Sequence, residues 1–148
     1  MVPQLSVFLQ NRSGKIAAIT RALSDNGIDI RALSIADTTD FGILRMLVSD
    51  IQKAKEVLTG QNCILSVNEV VVVAVPDRTG GLAEVLSLIA EARVDIEYMY
   101  SLIGRESNMA DMVFRVSDED AFRTVLQQHG LQTISADQLR YLPWLEKW

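Results

Sequence analysis

The chain has 148 residues, 49% of them hydrophobic and 22% charged, the balance of a globular protein rather than a disordered one. Its longest fully apolar stretch, Val70–Val75, falls far short of the ~20 residues a membrane helix needs. A net charge of −5 argues against non-specific nucleic-acid binding, which depends on neutralising phosphates.

The first residues, MVPQLSVFLQNRSG, show neither the basic segment nor the cleavage site of a signal peptide. Cys63 is the single cysteine and His129 the single histidine, which excludes an internal disulfide and leaves almost nothing for a soft-metal site. The expectation is a soluble cytoplasmic protein without membrane, metal or cofactor.

Leu5, Val7 and Leu9 alternate with Ser6, Phe8 and Gln10, which predicts a strand with at least one buried face. Ile16, Ile19 and Leu23 then recur at helical spacing after the Gly14 turn, and Asn26–Gly27 stops that helix. Ile28 to Ala36 reads as a second strand whose phase changes near Ala32–Leu33, the mark of a bulge. Turn residues Thr38 to Gly42 lead to a third strand through Leu44, Met46 and Val48. Ser49 with Gln52 resembles a capping box for a helix through Ile51, Ala54 and Leu58. Ile64 to Val67 closes this unit as a short strand.

The series then starts again. Glu69 to Pro76 is a nearly continuous apolar strand, as expected where both faces are covered. Leu82, Val85, Leu86 and Ile89 mark a helix. Val94, Ile96, Tyr98, Tyr100 and Leu102 alternate as a strand with the tyrosines facing the core, and Met112, Phe114 and Val116 form the next. Ser117 is the expected cap of a helix carrying Ala121, Phe122, Val125 and Leu126, and Gln132 to Ser135 supplies the last strand.

The recurrence extends to single residues. Asn11–Ala17 (NRSGKIA) lies over Asp77–Ala83 (DRTGGLA), and the same shift carries Asp29–Ile30 onto Asp95–Ile96. After a two-residue slip, Ser49–Asp50 meets Ser117–Asp118. The chain therefore reads as two copies of one β-α-β-β-α-β unit, an α+β ferredoxin-like arrangement with antiparallel sheets and helices packed on one face. The expected divisions are 1–68, 69–136 and a tail, 137–148, that carries Leu142-Pro143-Trp144-Leu145-Glu146-Lys147-Trp148. Only Asn68 lies between the copies, which predicts that the halves are held rigidly. The tail is expected to fold back over an apolar sheet face, with docking on a partner as the alternative.

A site is expected where the first strand of each unit turns into its first helix. Helix starts expose unpaired N–H groups and partial positive charge, and glycine lets a ligand approach the backbone. A carboxylate is favoured there. Asp77 can accept from an ammonium group, so the second loop suits a zwitterionic amino acid; Asn11 offers an acceptor without the charge. The plain alternative is that Asn, Asp, Ser and Thr simply cap these helices.

The motif Asp77-Arg78-Thr79-Gly80-Gly81-Leu82 with Val94-Asp95-Ile96, and its copy Asn11–Ile16 with Ile28-Asp29-Ile30, resembles the ACT domain. The two copies span nearly the whole chain, which resembles a stand-alone tandem ACT protein with no catalytic domain. The resemblance implies a non-catalytic regulatory protein whose units pair and bind a small amino-acid effector at their interface. Its contacts would fall on Asn11, Ser13, Gly14 and Lys15, and on Asp77, Thr79, Gly80, Gly81 and Leu82. Ile30 and Ile96 would face or flank the neighbouring unit's loop. It further implies a homodimer and a regulated enzyme partner. The sequence departs from the usual motif at Ser13 and Thr79, where proline is common, and at Asn11, where an acid is usual.

Two other readings use the same topology. An acylphosphatase-like enzyme would bind phosphate through an arginine in the first loop, but the loops around Arg12 and Arg78 lack the glycines to wrap one, and they read as solvated turn residues. A protein–protein interaction module would need no small ligand, and its stability would not respond to one.

Overall fold

Alternation places Leu5, Val7 and Leu9 on one face of β1 (Val2–Gln10), and that face carries a core. Helix α1 (Lys15–Asp25) lays Ile19, Ala22 and Leu23 against it, and α2 (Ile51–Thr59) adds Ala54 and Leu58. β3 (Phe41–Val48) runs antiparallel to both β1 and β2 (Ile30–Asp37). The first part of β4 (Ile64–Pro76) lies on the other side of β1, giving the order β2-β3-β1-β4. The computed structural model describes every residue except 11, 38–40, 104–107 and 141–148.

Contacts divide the chain into two units: Val2–Glu69 with the described residues from Ala136 onward, and Val70–Ser135 with Met1. In the second unit α3 (Gly81–Glu91) and α4 (Glu119–Gln128) pack over the second part of β4, β5 (Ile96–Ser101), β6 (Met109–Val116) and the two-residue β7 (Thr133–Ile134). The order is β7-β4-β6-β5, the same as in the first unit. Its core joins Val71, Val73 and Val75 to Val85, Ile89, Phe114 and Phe122. The two phenylalanine rings meet at 5.5 Å, tilted by 56°, and burying such a side chain contributes about 1.5–3 kcal/mol. Each unit is thus a ferredoxin-like β-α-β-β-α-β fold with both helices on one sheet face.

The structure corrects several details. Asn68 does not interrupt a strand: β4 runs through it, and its side-chain oxygen accepts from Gln4 Nε2 at 3.2 Å. Ser49 and Ser117 are not the helix caps. The caps are their neighbours Asp50 and Asp118, whose carboxylates accept from the N–H of Lys53 and Ala121, both at 3.0 Å. Each serine hydroxyl instead accepts a backbone N–H from the start of a strand segment, Asp29 at 2.9 Å and Asp95 at 3.2 Å. A carboxylate is the stronger acceptor for the helix dipole, which leaves the serine free to tie the preceding strand.

Tyr100 is buried and Tyr98 half-buried, but neither tyrosine of β5 joins the core that Ile96 meets. The β5–β6 register shifts between Ile96 and Tyr98, as the β2–β3 register does between Ile30 and Ala32. The extra residue reverses the alternation, so Ile96 and then Met99 meet the second core. Tyr98 and Tyr100 stack on one another instead, with ring centroids 6.5 Å apart. The last strand is shorter than Gln132–Ser135, and the described part of the tail forms α5 (Ala136–Arg140) with Leu139 buried. The tryptophan-bearing residues 142–148 and the start of the Thr38–Gly42 turn lie outside the described residues.

Helix α1 ends as glycine demands, with Gly27 at φ 69°. In the second unit the equivalent position is Arg93 at φ 58°, a left-handed conformation that costs a non-glycine residue about 1–2 kcal/mol. Arg93→Gly is therefore expected to stabilise the protein by about 1 kcal/mol, read as a rise of roughly 2–4 °C in melting temperature. An unchanged or lower melting temperature would count against strain at this position.

Candidate functional site

The described residues of the two strand–helix loops make the same backbone hydrogen bonds. Arg12 N–H donates to Gln10 O at 2.8 Å and Arg78 N–H to Pro76 O at 3.0 Å. Lys15 and Gly81 then donate to Arg12 O and Arg78 O at 3.2 and 2.9 Å. Ala18 and Glu84 donate to Gly14 O and Gly80 O, both at 3.0 Å. Gly14 at φ 82° and Gly80 at φ 85° occupy the cap position in the left-handed conformation, where L side chains are strained.

Neither cap residue has a side chain to offer, and neither helix start makes a side-chain cap hydrogen bond. This sets α1 and α3 apart from α2 and α4, which Asp50 and Asp118 close. Ser13, Asp77 and Thr79 are exposed, and the capping explanation of these residues does not describe the structure. Helix geometry leaves the N–H groups of Ile16 and Ala17, and of Leu82 and Ala83, without an intrahelical acceptor. The local positive potential is therefore open to an anion.

The loops differ in packing. Gly81 is buried, and a Cβ built there would lie 2.1 Å from Pro76 O; Lys15 fills the equivalent position in the first loop. Leu82 is 38% exposed beside it. They differ also in charge. Glu84 accepts from both terminal nitrogens of Arg78, at 3.1 and 2.6 Å, and this hydrogen bond, then the charge, raises the Arg78 pKa. Around Arg12 the equivalent of Glu84 is Ala18.

The remaining predicted residues are placed elsewhere. Asn11 lies outside the described residues. Ile30 and Ile96 are half-buried against the cores of their own units. In the first unit Leu9 pairs with Gly42 and Ile30 with Val48. Those β3 partners stand six residues apart, ~20 Å along a strand. Pro76 pairs with Met109 and Ile96 with Val116, seven residues apart along β6. A unit does not bring its own isoleucine to its own loop, so a ligand touching both needs a second unit.

Sequence reading missed a cleft of about 360 Å³ beside the first loop, lined by Phe8, Gln10, Arg12, Lys15, Asn62, Cys63 and Ile64. Arg12 and Lys15 were legible as a strand–helix loop. The residues Asn62–Ile64 come from a connection remote in sequence, and nothing local marks them. Among the described residues no three His, Cys, Asp or Glu side chains gather as a metal site, and no helix is long and apolar enough to cross a membrane.

A family model described as an ACT domain pair matches residues 1–142. The chain is similar to protein BT0572 from Bacteroides thetaiotaomicron, with 38% identity, 95% of this chain and 96% of that one covered, and a TM-score of 0.86. The ligand-free regulatory subunit of aspartate kinase from Thermus thermophilus shares the fold at 18% identity, 84% and 90% coverage, and a TM-score of 0.62. Comparison with curated proteins finds no match.

Proposed function

Because the chain belongs to the ACT domain pair family, we propose that it is a non-catalytic regulatory protein that binds a small amino acid at the start of α3. The observation that carries this reading is the pairing of a bare helix start with an exposed acid. The amides of Leu82 and Ala83 lie free to take the carboxylate beside Gly80 and Gly81, and Asp77, with Thr79 next to it, is available to the ammonium group. Ser13, Gly14, Lys15 and Asn11 form a second position with the same loop pattern and a different charge.

An adjoining ACT unit supplies the wall that reads the side chain, with Ile30 or Ile96 at its edge. The protein works as a cytoplasmic homodimer, and the bound amino acid biases its contact with a regulated enzyme. A monomeric mass in light scattering at micromolar concentrations would exclude the dimer.

Calorimetric titration with the proteinogenic amino acids tests the ligand. The expected affinity is about 1 mM to 1 μM for one or a few of them. Asp77→Asn, which installs the first loop's residue, is expected to weaken binding roughly thirtyfold, the loss of a charged hydrogen bond of about 2 kcal/mol. No heat with any amino acid, or full affinity in Asp77→Asn, would overturn the reading.

A further inference from the structure

The equivalent loops carry opposite charge. Arg78 stands with two acids, Asp77 and Glu84, and its guanidinium is already bound by Glu84. At the equivalent positions around Arg12 the sequence has Asn11 and Ala18, and Lys15 replaces Gly81. The first loop thus holds two bases and no acid. Among the described residues neither Arg12 nor Lys15 makes an ion pair.

Both bases line the cleft of about 360 Å³, whose size suits a small metabolite. Phe8 and Ile64, 42% and 70% exposed, give it apolar wall, and Gln10 and Asn62 give it neutral polar groups. A carboxylate entering here meets two uncompensated cations. An ammonium group meets the same two cations, and among the described residues no acidic side chain lines the cleft to hold it. The cost of placing like charges together is what separates one class of ligand from the other.

We propose that this cleft binds a small organic acid that carries no ammonium group, a dicarboxylate being the best match to its two cations. The two halves of the chain then select different charge classes from equivalent loops. This goes beyond the amino-acid reading of the second loop and stands whether or not that loop is occupied.

Cys63 provides a readout at the site, since it is the chain's one cysteine, half-buried in the cleft wall. Its alkylation by uncharged iodoacetamide, followed by intact mass, is measured with succinate, inorganic phosphate or alanine present. Succinate is expected to slow alkylation at least fivefold in a saturable manner, and alanine to leave it unchanged. The protection is expected to vanish in Arg12→Ala/Lys15→Ala and to persist in Lys55→Ala, which removes an exposed cation of α2. Ala18→Glu, at an exposed position of α1, places an acid near Arg12 and is expected to weaken protection without disturbing the fold.

Protection that survives the double variant would place binding elsewhere and overturn the proposal. So would equal protection by alanine, protection by phosphate but not succinate, or none by succinate. Circular dichroism and the ligand-free alkylation rate show whether each variant is folded. The Asp77→Asn titration is independent of all these outcomes, so the two readings fail separately.

Discussion

Gly81→Ala is expected to destabilise the protein by about 3 kcal/mol, at the upper end of overpacking costs, and to abolish amino-acid binding at the second loop. The added Cβ would lie 2.1 Å from Pro76 O and 3.1 Å from Pro76 C. Both are backbone atoms, held by the pairing of Pro76 with Met109 and Val75 with Ala110, so no side chain can swing aside. The start of α3 must move away from the end of β4, and the amides meant for the carboxylate move with it. Two neighbours separate this cause from a general sensitivity of the loop. Gly80→Ala meets nothing within 4 Å and bears only the left-handed cost, about 1–2 kcal/mol. Lys15→Ala, at the equivalent place in the first loop, removes a side chain that already fits, and its effect should stay within about 0.5 kcal/mol. Urea unfolding of the three variants checks the order. A Gly81→Ala protein as stable as Lys15→Ala would show that the close approach to Pro76 is not what shapes the loop.

Arg31→Ala is expected to release α5 from the first unit at a cost of about 3 kcal/mol, the scale of two hydrogen bonds from a charged donor. Arg31 is 4% exposed. Its Nε donates to Leu139 O at 2.8 Å, its Nη2 to Arg140 O at 3.1 Å, and its Nη1 pairs with Asp29. Burial lowers its pKa through desolvation, so the residue is retained against a penalty that these contacts offset. Arg31→Lys is not expected to rescue, because a compact ammonium cannot reproduce a planar fork that reaches two carbonyls and a carboxylate. The measurement is amide exchange over residues 136–140, where protection should fall toward that of a frayed end. Protection equal to the wild type would sink the assignment. The equivalent position in the second unit shows why this is specific: Glu97 there is half-exposed and pairs with Arg115 at 3.5 Å, the kind of surface pair worth about 0–1 kcal/mol.

The order of elements was legible because each rests on spacing between near neighbours. Leu5, Val7 and Leu9 could face one side only as a strand, and Ile16, Ile19 and Leu23 only as a helix. The bulge in β2 showed as a change of phase at Ala32–Leu33. Its counterpart at Glu97 did not, because Tyr98 and Tyr100 continue an apolar alternation through it, although neither joins the core that Ile96 meets. An apolar side chain is compatible with either face, and packing chose between them. The loops were legible as a pair, and the glycines within them marked the turn. Whether their polar residues cap the helices was not legible, since Asp50 and Asp118 do so and Asp77 does not. The difference lies in whether the chain reaches the helix extended or through a left-handed glycine, as the backbone shows at Gly14 and Gly80.

By itself the sequence determined two copies of one unit, the nature and order of nearly every element, and the loops at which a ligand would be sought. These follow from forces between residues a few places apart: side-chain alternation, helical periodicity and the freedom of glycine. Only the tertiary structure decided that Arg31 holds α5 across more than a hundred residues of chain. It alone brought Asn62, Cys63 and Ile64 to the cleft beside Arg12, and it alone showed Glu84 closing on Arg78. Such contacts depend on where packed elements come to rest, and the residues that make them leave no periodic trace in the sequence.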